Sequence, residues 1–459
     1  MKKFPVKRCV VLMTVAIASQ YAQAGGLQSE LVQLRANNPL LRASDFAVKA
    51  AQARQQVAQA AWLPKVTLTA DAGPEELTTT NYNGATPGDP NTTDLQRRKW
   101  GLSIEQNLYN GGRTVATEAI ADLSLGIKQA EYSATSQEVL LEALVAYLQV
   151  LKNQIQIELA TINEETTKQQ LDLEQKRVAK GGGIIVDEMQ AATRLQVVRE
   201  RRVIYEQDMR DALAAYEQVY GQAPDLTKFE DLATFSARMP KSLDEAIDVA
   251  VKGNPRLLAA RLASDKANES INIEKAGFMP TVDLAVTHNR DKNAAGLYKK
   301  NENSVLLKAS WNLYSGGQNK FLTQAAAFDQ MEAVELEANA RNRVLESVRM
   351  AWNQYQKGIE RVELLESATQ TARSVMDGRK RLRDAGKETA LAVLDAEVEY
   401  FGILANKVNA MIEARIGSYR LLSTLGLLNI QQLNIDGEKM DLPVRPIRDA
   451  INDLLGTSK

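Results

Sequence analysis

The chain repeats itself once, and that duplication limits its possible folds more than any other feature. Asn38-Pro39-Leu40 returns as Asn254-Pro255-Arg256, and Trp62-Leu63-Pro64 as Phe278-Met279-Pro280, both at an offset of 216. Asn107-Leu108-Tyr109-Asn110-Gly111-Gly112 returns as Asn312-Leu313-Tyr314-Ser315-Gly316-Gly317 at an offset of 205. Further on, Lys176-Arg177 matches Lys380-Arg381, and Gln190-Ala191 matches Asp395-Ala396. The change of offset falls between the second and third landmarks, where a longer loop in the first half would put it. Two copies are too few for a solenoid, which needs three or more stacked repeats. The chain is a duplicated unit of roughly 200 residues.

Each copy has the same internal order. A helical stretch (38–62, 254–278) ends before a proline, which disfavours the helical region at the residue preceding it. Two alternating segments follow. In the first copy Val66, Leu68, Ala70 and Ala72 alternate with Thr67, Thr69 and Asp71, and Trp100, Leu102 and Ile104 with Gly101, Ser103 and Glu105. In the second, Val282, Leu284 and Val286 alternate with Asp283, Ala285 and Thr287. The return there sets Val305, Leu307, Ala309, Trp311 and Leu313 against Leu306, Lys308, Ser310 and Asn312. Period-two patterning predicts strands with one apolar and one wet face. The polar segments 73–94 and 289–303 read as exposed loops.

A proline-free helical pattern follows each Gly-Gly pair, from about Gly112 to Ala179 and from about Gly317 to Ala385. Leu141, Leu144, Leu148, Leu151 and Ile155, and in the second copy Val348, Trp352, Tyr355, Ile359 and Val362, are spaced as in a coiled-coil seam. At 1.5 Å per residue each helix is ~100 Å long, and such a helix needs neighbours along its whole length. It breaks at Gly181-Gly182-Gly183 or near Gly386, and a return helix follows (about 184–220 and 389–425). The glycine run lacks the Lys-Ser/Thr and the preceding strand of a phosphate loop, so it reads as a turn.

Lys2, Lys3, Lys7 and Arg8 precede a ten-residue apolar run, Cys9 to Ala18, and Ala22-Gln23-Ala24 is a small-x-small cleavage site. That is a secretory signal over 1–24. Ten residues cannot span ~30 Å of hydrocarbon as a helix. Loss of its four cations takes the formal net charge from −1 to −5, which argues against a nucleic-acid partner. The only cysteine, Cys9, leaves with it, so thiol chemistry and disulfides are excluded. One histidine, His288, supports no metal site. With no convergent nucleophile set, the expectation is no enzyme and no cofactor.

Four strands per chain cannot close around a lumen, since about eight only fill their own interior with side chains. An open sheet with a greasy face would leave its edges and that face exposed. Lipid would satisfy the face, and copies of the chain would remove the edges. A wet interior prefers 12 or more strands over eight. A membrane-embedded part must be a β-barrel, because no later segment approaches a membrane helix. A periplasmic coiled-coil adaptor is a second reading. It shares the helices and the signal, but it has no need of two strand pairs placed alike in both halves.

The Asn-Pro-x-Leu opening, the Leu-Pro before the first strand, the Asn-Leu-Tyr-x-Gly-Gly element of both copies and Val393-Leu394-Asp395-Ala396 on the last long hairpin resemble the TolC family of outer-membrane efflux and type I secretion channels. The likeness runs from about 27 to 430. It implies a mainly α fold with a β-barrel portion: a duplicated unit forming a trimeric 12-stranded outer-membrane barrel, continued by a long α-helical tunnel in the periplasm. It divides the chain into the signal, a first repeat (25–225), a linker with an equatorial helix (226–253), a second repeat (254–430) and a C-terminal equatorial segment (431–459). Ser242-Leu243-Asp244-Glu245 in the linker reads as a capping box.

The implied partners are the homotrimer, a periplasmic adaptor (membrane fusion protein), an inner-membrane ABC or proton-driven transporter, and outer-membrane lipid. The Asn-Leu-Tyr-x-Gly-Gly form inclines the resemblance toward type I protein secretion over multidrug efflux. The family's aspartate ring at the tip maps onto Asp395, while a second acidic position falls on Ala392. Asp187 matches a tip aspartate that holds the aperture shut against a basic residue. The matching position here is Glu388, which leaves Arg383 or Lys387 as substitutes. Gly181, Gly182, Lys180, Arg177, Arg381, Arg383 and Gly386 map to the adaptor-facing tip. Trp100 and Trp311 have the parity of an interfacial aromatic belt.

Overall fold

The structure, a computed structural model, describes residues 27–80, 82–83, 86–226, 239–294 and 297–429. The signal segment 1–24, the C-terminal segment 431–459 and positions 227–238 of the linker lie outside the described residues. In chain order the elements are α1 (Leu27–Asn37), α2 (Pro39–Ala60), β1 (Lys65–Thr79), the short β2 (Tyr82–Asn83) and β3 (Thr86–Pro87), β4 (Asn91–Tyr109), α3 (Arg113–Ala179) and α4 (Ile185–Tyr220). Then come α5 (Leu243–Gly253), α6 (Pro255–Ala276), β5 (Thr281–Ala294), β6 (Leu297–Ser310), α7 (Gln318–Asp384) and α8 (Ala390–Thr424). Helix, strand pair, long helix and return helix occur twice in one order, so the duplication is structural. The chain divides into two compact units, one of Asp45–Glu131 with Arg256–Ala340, the other of the remainder.

The first unit carries an antiparallel sheet in the order β1-β4-β5-β6. Its register sorts the side chains by face. One face carries rows such as Val66, Ile104, Val286 and Val305; the other carries Thr67, Ser103, Thr287 and Ser304. On the polar face Thr287 and Ser304 share a hydroxyl hydrogen bond of 2.6 Å. On the apolar face Leu68 and Val305 are each 71% exposed and Leu307 68%. β1 and β6 are its two edge strands.

The strands outrun the sequence expectation at one end. β1 continues to Thr79, β4 starts at Asn91, and β5 and β6 run through most of 289–303. The ladder persists there because backbone hydrogen bonds need no apolar face. The period-two signal vanishes because both faces are wet. At the other end β6 stops at Ser310, so Trp311 lies just beyond it rather than within it. α1 was not foreseen either.

The Gly-Gly pairs have a backbone reason. Gly111 and Gly112 have φ of 71° and 88°, and Gly316 and Gly317 have 64° and 85°. Two consecutive left-handed residues turn each strand into its long helix, a conformation that residues with a Cβ adopt at a cost. At Gly111 a Cβ would also stand 2.6 Å from the Met279 Cβ.

The second unit holds the hydrophobic core. It is built from the C-terminal parts of α3 and α7 with α1, α4 and α8, and it centres on Leu144, Leu148, Leu151, Tyr216, Leu404, Val408 and Tyr419. The predicted seam is buried at Leu144, Leu148, Leu151 and Ile155 and at Val348, Tyr355 and Val362. Tyr216 stacks on Tyr220 at 4.1 Å and donates its hydroxyl to Glu30 at 2.5 Å. At the start of α5 the Ser242 hydroxyl accepts from the Glu245 N–H at 3.2 Å, while the Glu245 carboxylate reaches back to the Lys241 N–H at 2.7 Å. This is the expected capping box, with its return bond shifted by one residue.

Candidate functional site

The far ends of the long hairpins form two turns with one geometry. Gly182 N–H donates to the Arg177 carbonyl at 3.0 Å and Gly181 N–H to Val178 at 3.0 Å. In the other copy Lys387 N–H donates to Leu382 at 2.9 Å and Gly386 N–H to Arg383 at 2.8 Å. Gly181 and Gly386, at φ 74° and 72°, provide the left-handed residue of each cap. The glycine run 181–183 is thus a helix-to-helix turn with no strand before it. Lys180 and Arg381 beside the turns are exposed, as an external contact requires.

Asp187 lies in the first turn of α4 with Glu188, where a carboxylate is favoured by the helix's positive end. It makes no ion pair among the described residues. Arg383 does not turn toward it: its guanidinium donates to the Gln170 Oε1 of α3 at 2.6 Å and to Asp384 at 2.8 Å. Lys387 is exposed. Glu388 immediately precedes Thr389, whose hydroxyl accepts from the Ala392 N–H and so caps α8. Among the described residues of one chain, then, no basic residue latches Asp187.

Asp395 lies on the exposed side of α8, with its side chain 53% accessible, and it is ion-paired to Arg194 of α4. Sequence reading did not name Arg194. A signal existed: the repeat frame aligns Asp395 with Gln190, one helical turn before Arg194. Two further cross-links were also unread. Glu164 of α3 lies between Arg199 at 2.9 Å and Arg202 at 3.0 Å on α4. Arg361 of α7 reaches Glu413 of α8 at 2.5 Å.

Below these contacts lies a cleft of about 610 Å³ lined by Val186, Met189, Val197, Leu391 and Val398, with Arg194 at its wall. Its α4 side is unusually greasy for a surface: Val186, Met189 and Val197 are 58%, 64% and 55% exposed.

Two ion pairs, each with one buried member and one partly exposed partner, tie α8 to α7. Glu397, 1% exposed, meets Lys380 at 2.8 Å, and Lys407, 1% exposed, meets Glu366. Burial, with the Glu30 carboxylate added, pushes the Tyr216 and Tyr220 hydroxyls well above the usual phenol range. None of these groups forms a metal-binding cluster among the described residues.

In the sheet, Trp100 stands on β4 opposite Ala70 and Arg290, its ring 4.9 Å from that of His288. His288 bonds to the Asn303 side chain. The Trp311 indole donates to the Phe278 carbonyl at 3.0 Å, and the Trp62 indole to Glu118 at 3.0 Å. No helix among the described residues is long and apolar enough to cross a membrane.

Comparison with known proteins agrees with this architecture. A family model described as "Outer membrane efflux protein" matches residues 31–222 and 246–427, one match per repeat. The outer membrane protein TolC of Escherichia coli is 26% identical over 93% of this chain and 87% of its own length. The outer membrane efflux protein BepC of Brucella suis is 23% identical over 94% of this chain and 91% of its own. The alkaline protease secretion protein AprF of Pseudomonas aeruginosa is 25% identical over 87% and 84%. The solved structure of the outer-membrane channel OprN superposes with a TM-score of 0.75 at 20% identity, covering 94% of this chain and 99% of that one.

Proposed function

The chain belongs to the outer membrane efflux protein family, and from that premise we propose that three copies assemble into the exit duct of a type I protein secretion system. The observation that carries the assembly is the sheet with two unpaired edges, β1 and β6, and an apolar face open to its surroundings. Three such sheets joined edge to edge make a barrel of 12 strands whose polar rows wet the lumen. The duct does no chemistry. It opens when a periplasmic adaptor, coupled to an inner-membrane transporter, binds the open tip better than the closed one. Trp100 and Trp311 are its two interfacial aromatics.

The closed tip is held by contacts between hairpins: Arg194 with Asp395, and Arg383 with Gln170. Release of the first frees α8 from α4, and release of the second frees α7 from α3, so the second hairpin can move outward from the first. Asp395, relieved of Arg194, would then place three carboxylates at the constriction and favour cations. Asp187 stays available to a neighbouring copy or to the adaptor, and Lys180, Arg381 and the turn glycines form the docking tip. Single-channel recording of Arg194→Ala in planar bilayers tests this directly. A rise in conductance of about twofold or more with stronger cation preference is expected; a record identical to the parent removes the pair from the gate.

The secretion reading draws on AprF, a relative named for protease secretion, which aligns over most of the chain. BepC, named as an efflux protein, aligns over a still larger share and favours small-molecule efflux as the second reading. Deletion of the gene separates them. Loss of a polypeptide from the culture medium, restored by the intact gene, supports secretion. Drug sensitivity with an unchanged set of secreted proteins overturns it.

A further inference from the structure

The apolar face of the sheet changes chemistry abruptly at its hairpin end. The row Ala70, Trp100, Arg290 and Asn301 is followed two residues on by Ala72, Arg98, Lys292 and Lys299. Three cations thus stand directly opposite one another on adjacent strands, with Arg290 one row below. All four are exposed, and none has a carboxylate partner among the described residues. The Lys292 ammonium has only the Tyr298 ring, 5.7 Å away. Like charges opposed across strands destabilise a sheet when nothing compensates them.

The polar face solves the same problem differently. At the same height it alternates Asp71, Lys99, Asp291 and Lys300. Arg97 beside them pairs with Asp71 at 2.9 Å and Glu75 at 3.8 Å, and Lys300 with Glu302 at 2.9 Å. On the apolar face the nearest carboxylates, Glu76 and Asp94, lie two rows further out and oppose each other. The cations are left for something outside the chain to compensate.

Their height says what that is. Asn301, in the Trp100 row, lies ten residues before Trp311. At ~3.4 Å per residue on a strand tilted ~40°, the two tryptophans are ~26 Å apart along the membrane normal. That matches the ~25 Å apolar band of an outer-membrane barrel. The cation rows begin at the Trp100 level and extend ~5 Å past it, at the depth of lipid headgroups. They lie beside the hairpin between β5 and β6, at the strand ends away from the long helices, which is the cell-surface side.

We propose that Arg98, Arg290, Lys292 and Lys299 bind the phosphates of the glycolipid headgroups of the outer leaflet, one site per chain. The guanidinium groups grip a phosphate bidentately, and the lysines act as point charges beside it. This rests on the membrane-barrel reading above.

Binding of diphosphorylated lipid A to the purified trimer, measured by native mass spectrometry and by fluorescence titration in detergent, tests it. Replacing all four cations by Gln should weaken binding about tenfold or more. The pair Lys292→Gln and Lys299→Gln should weaken it about threefold. Lys99→Gln with Lys308→Gln, an equal loss of charge on the polar face, should leave it unchanged. Dephosphorylated lipid A should bind the parent no better than diphosphorylated lipid A binds the four-site variant. Equal binding by parent and variants overturns the proposal, as does equal binding of the dephosphorylated lipid or full displacement by an equimolar amount of inorganic phosphate. Planar-bilayer conductance is recorded alongside. Variants that conduct yet bind lipid normally sink this site alone, whereas a parent that forms no pore sinks the barrel.

Discussion

In the helical unit α8 buries twenty of its 35 residues, among them Leu404, Val408 and Leu421 with no measurable exposure. The sheet unit hides little beyond alanines such as Ala285 and Ala326, and Leu257 is its largest buried side chain among the described residues. Its leucines and valines are on the outside. The helical unit therefore draws stability from side chains its own chain provides. The sheet unit draws it from a backbone ladder in one chain, and its apolar face gains only when lipid and neighbouring copies cover it. The same contrast holds for ions. The helical unit buries Glu397 and Lys407 with partners from α7, while no charged residue of the sheet is fully buried among the described residues.

The sharpest test of an internally satisfied core is to orphan one buried charge. Glu366→Ala leaves the Lys407 ammonium buried without its carboxylate and should cost about 3–5 kcal/mol. Lys407→Met removes the charge itself and should be close to neutral. Thermal unfolding of the helical signal by circular dichroism measures both, and equal losses would show that the pair is not the reason for the cost.

Leu307→Arg probes the other side of the contrast. In a sheet that stayed in water, a substitution at a residue 68% exposed would change stability by less than about 0.5 kcal/mol. Against lipid it should cost about 2–4 kcal/mol per chain. The fraction of detergent-resistant trimer against temperature reads the difference, and an unaltered melting curve would remove the lipid face.

Where the strands pass into the helices, Gly111→Ala should cost about 2 kcal/mol, from left-handed strain plus collision with Met279. Gly316→Ala, with open space around it, should cost about 1 kcal/mol from strain alone. The same trimer melt measures the gap between them.

The smallest expected effect is one of pH. Tyr216 and Tyr220 have folded-state pKa values raised above the ordinary phenol value near 10, by burial first and the Glu30 carboxylate second. The stability that goes with their neutral form is fully present below pH 10. Above pH 10 the unfolded chain loses protons that the folded chain keeps, so stability falls as pH rises. Tyr216→Phe should flatten that alkaline decline in a melting series from pH 9 to 11, and an identical slope would assign the decline to other groups.

The duplicated frame, the two proline-free helices and the Gly-Gly turns were legible because each follows from a local rule: period, proline exclusion, or a positive φ. The ends of the long helices and of their return helices were readable within a residue or so. The outer halves of the strands were not, because a ladder with two wet faces leaves no alternation to detect. At the tip, Asp395 and Asp187 were nameable from a motif. Arg194 was not, because its pairing spans 201 positions of sequence and depends on how α4 lies against α8. The cations at 98, 290, 292 and 299 are scattered along the chain and meet only through strand register.

From the order of its residues alone, this chain determined its repeat, its element types and the two-faced character of its strands, because these depend on neighbours a few positions apart. Tertiary structure decided which charges face each other. The rise and rotation of two long helices bring Arg194 to Asp395 and seal Lys407 against Glu366. The register of four strands puts compensated charges on one face and uncompensated ones on the other. Such contacts depend on summed geometry over tens of residues, and a shift of one residue in a strand would exchange the two faces.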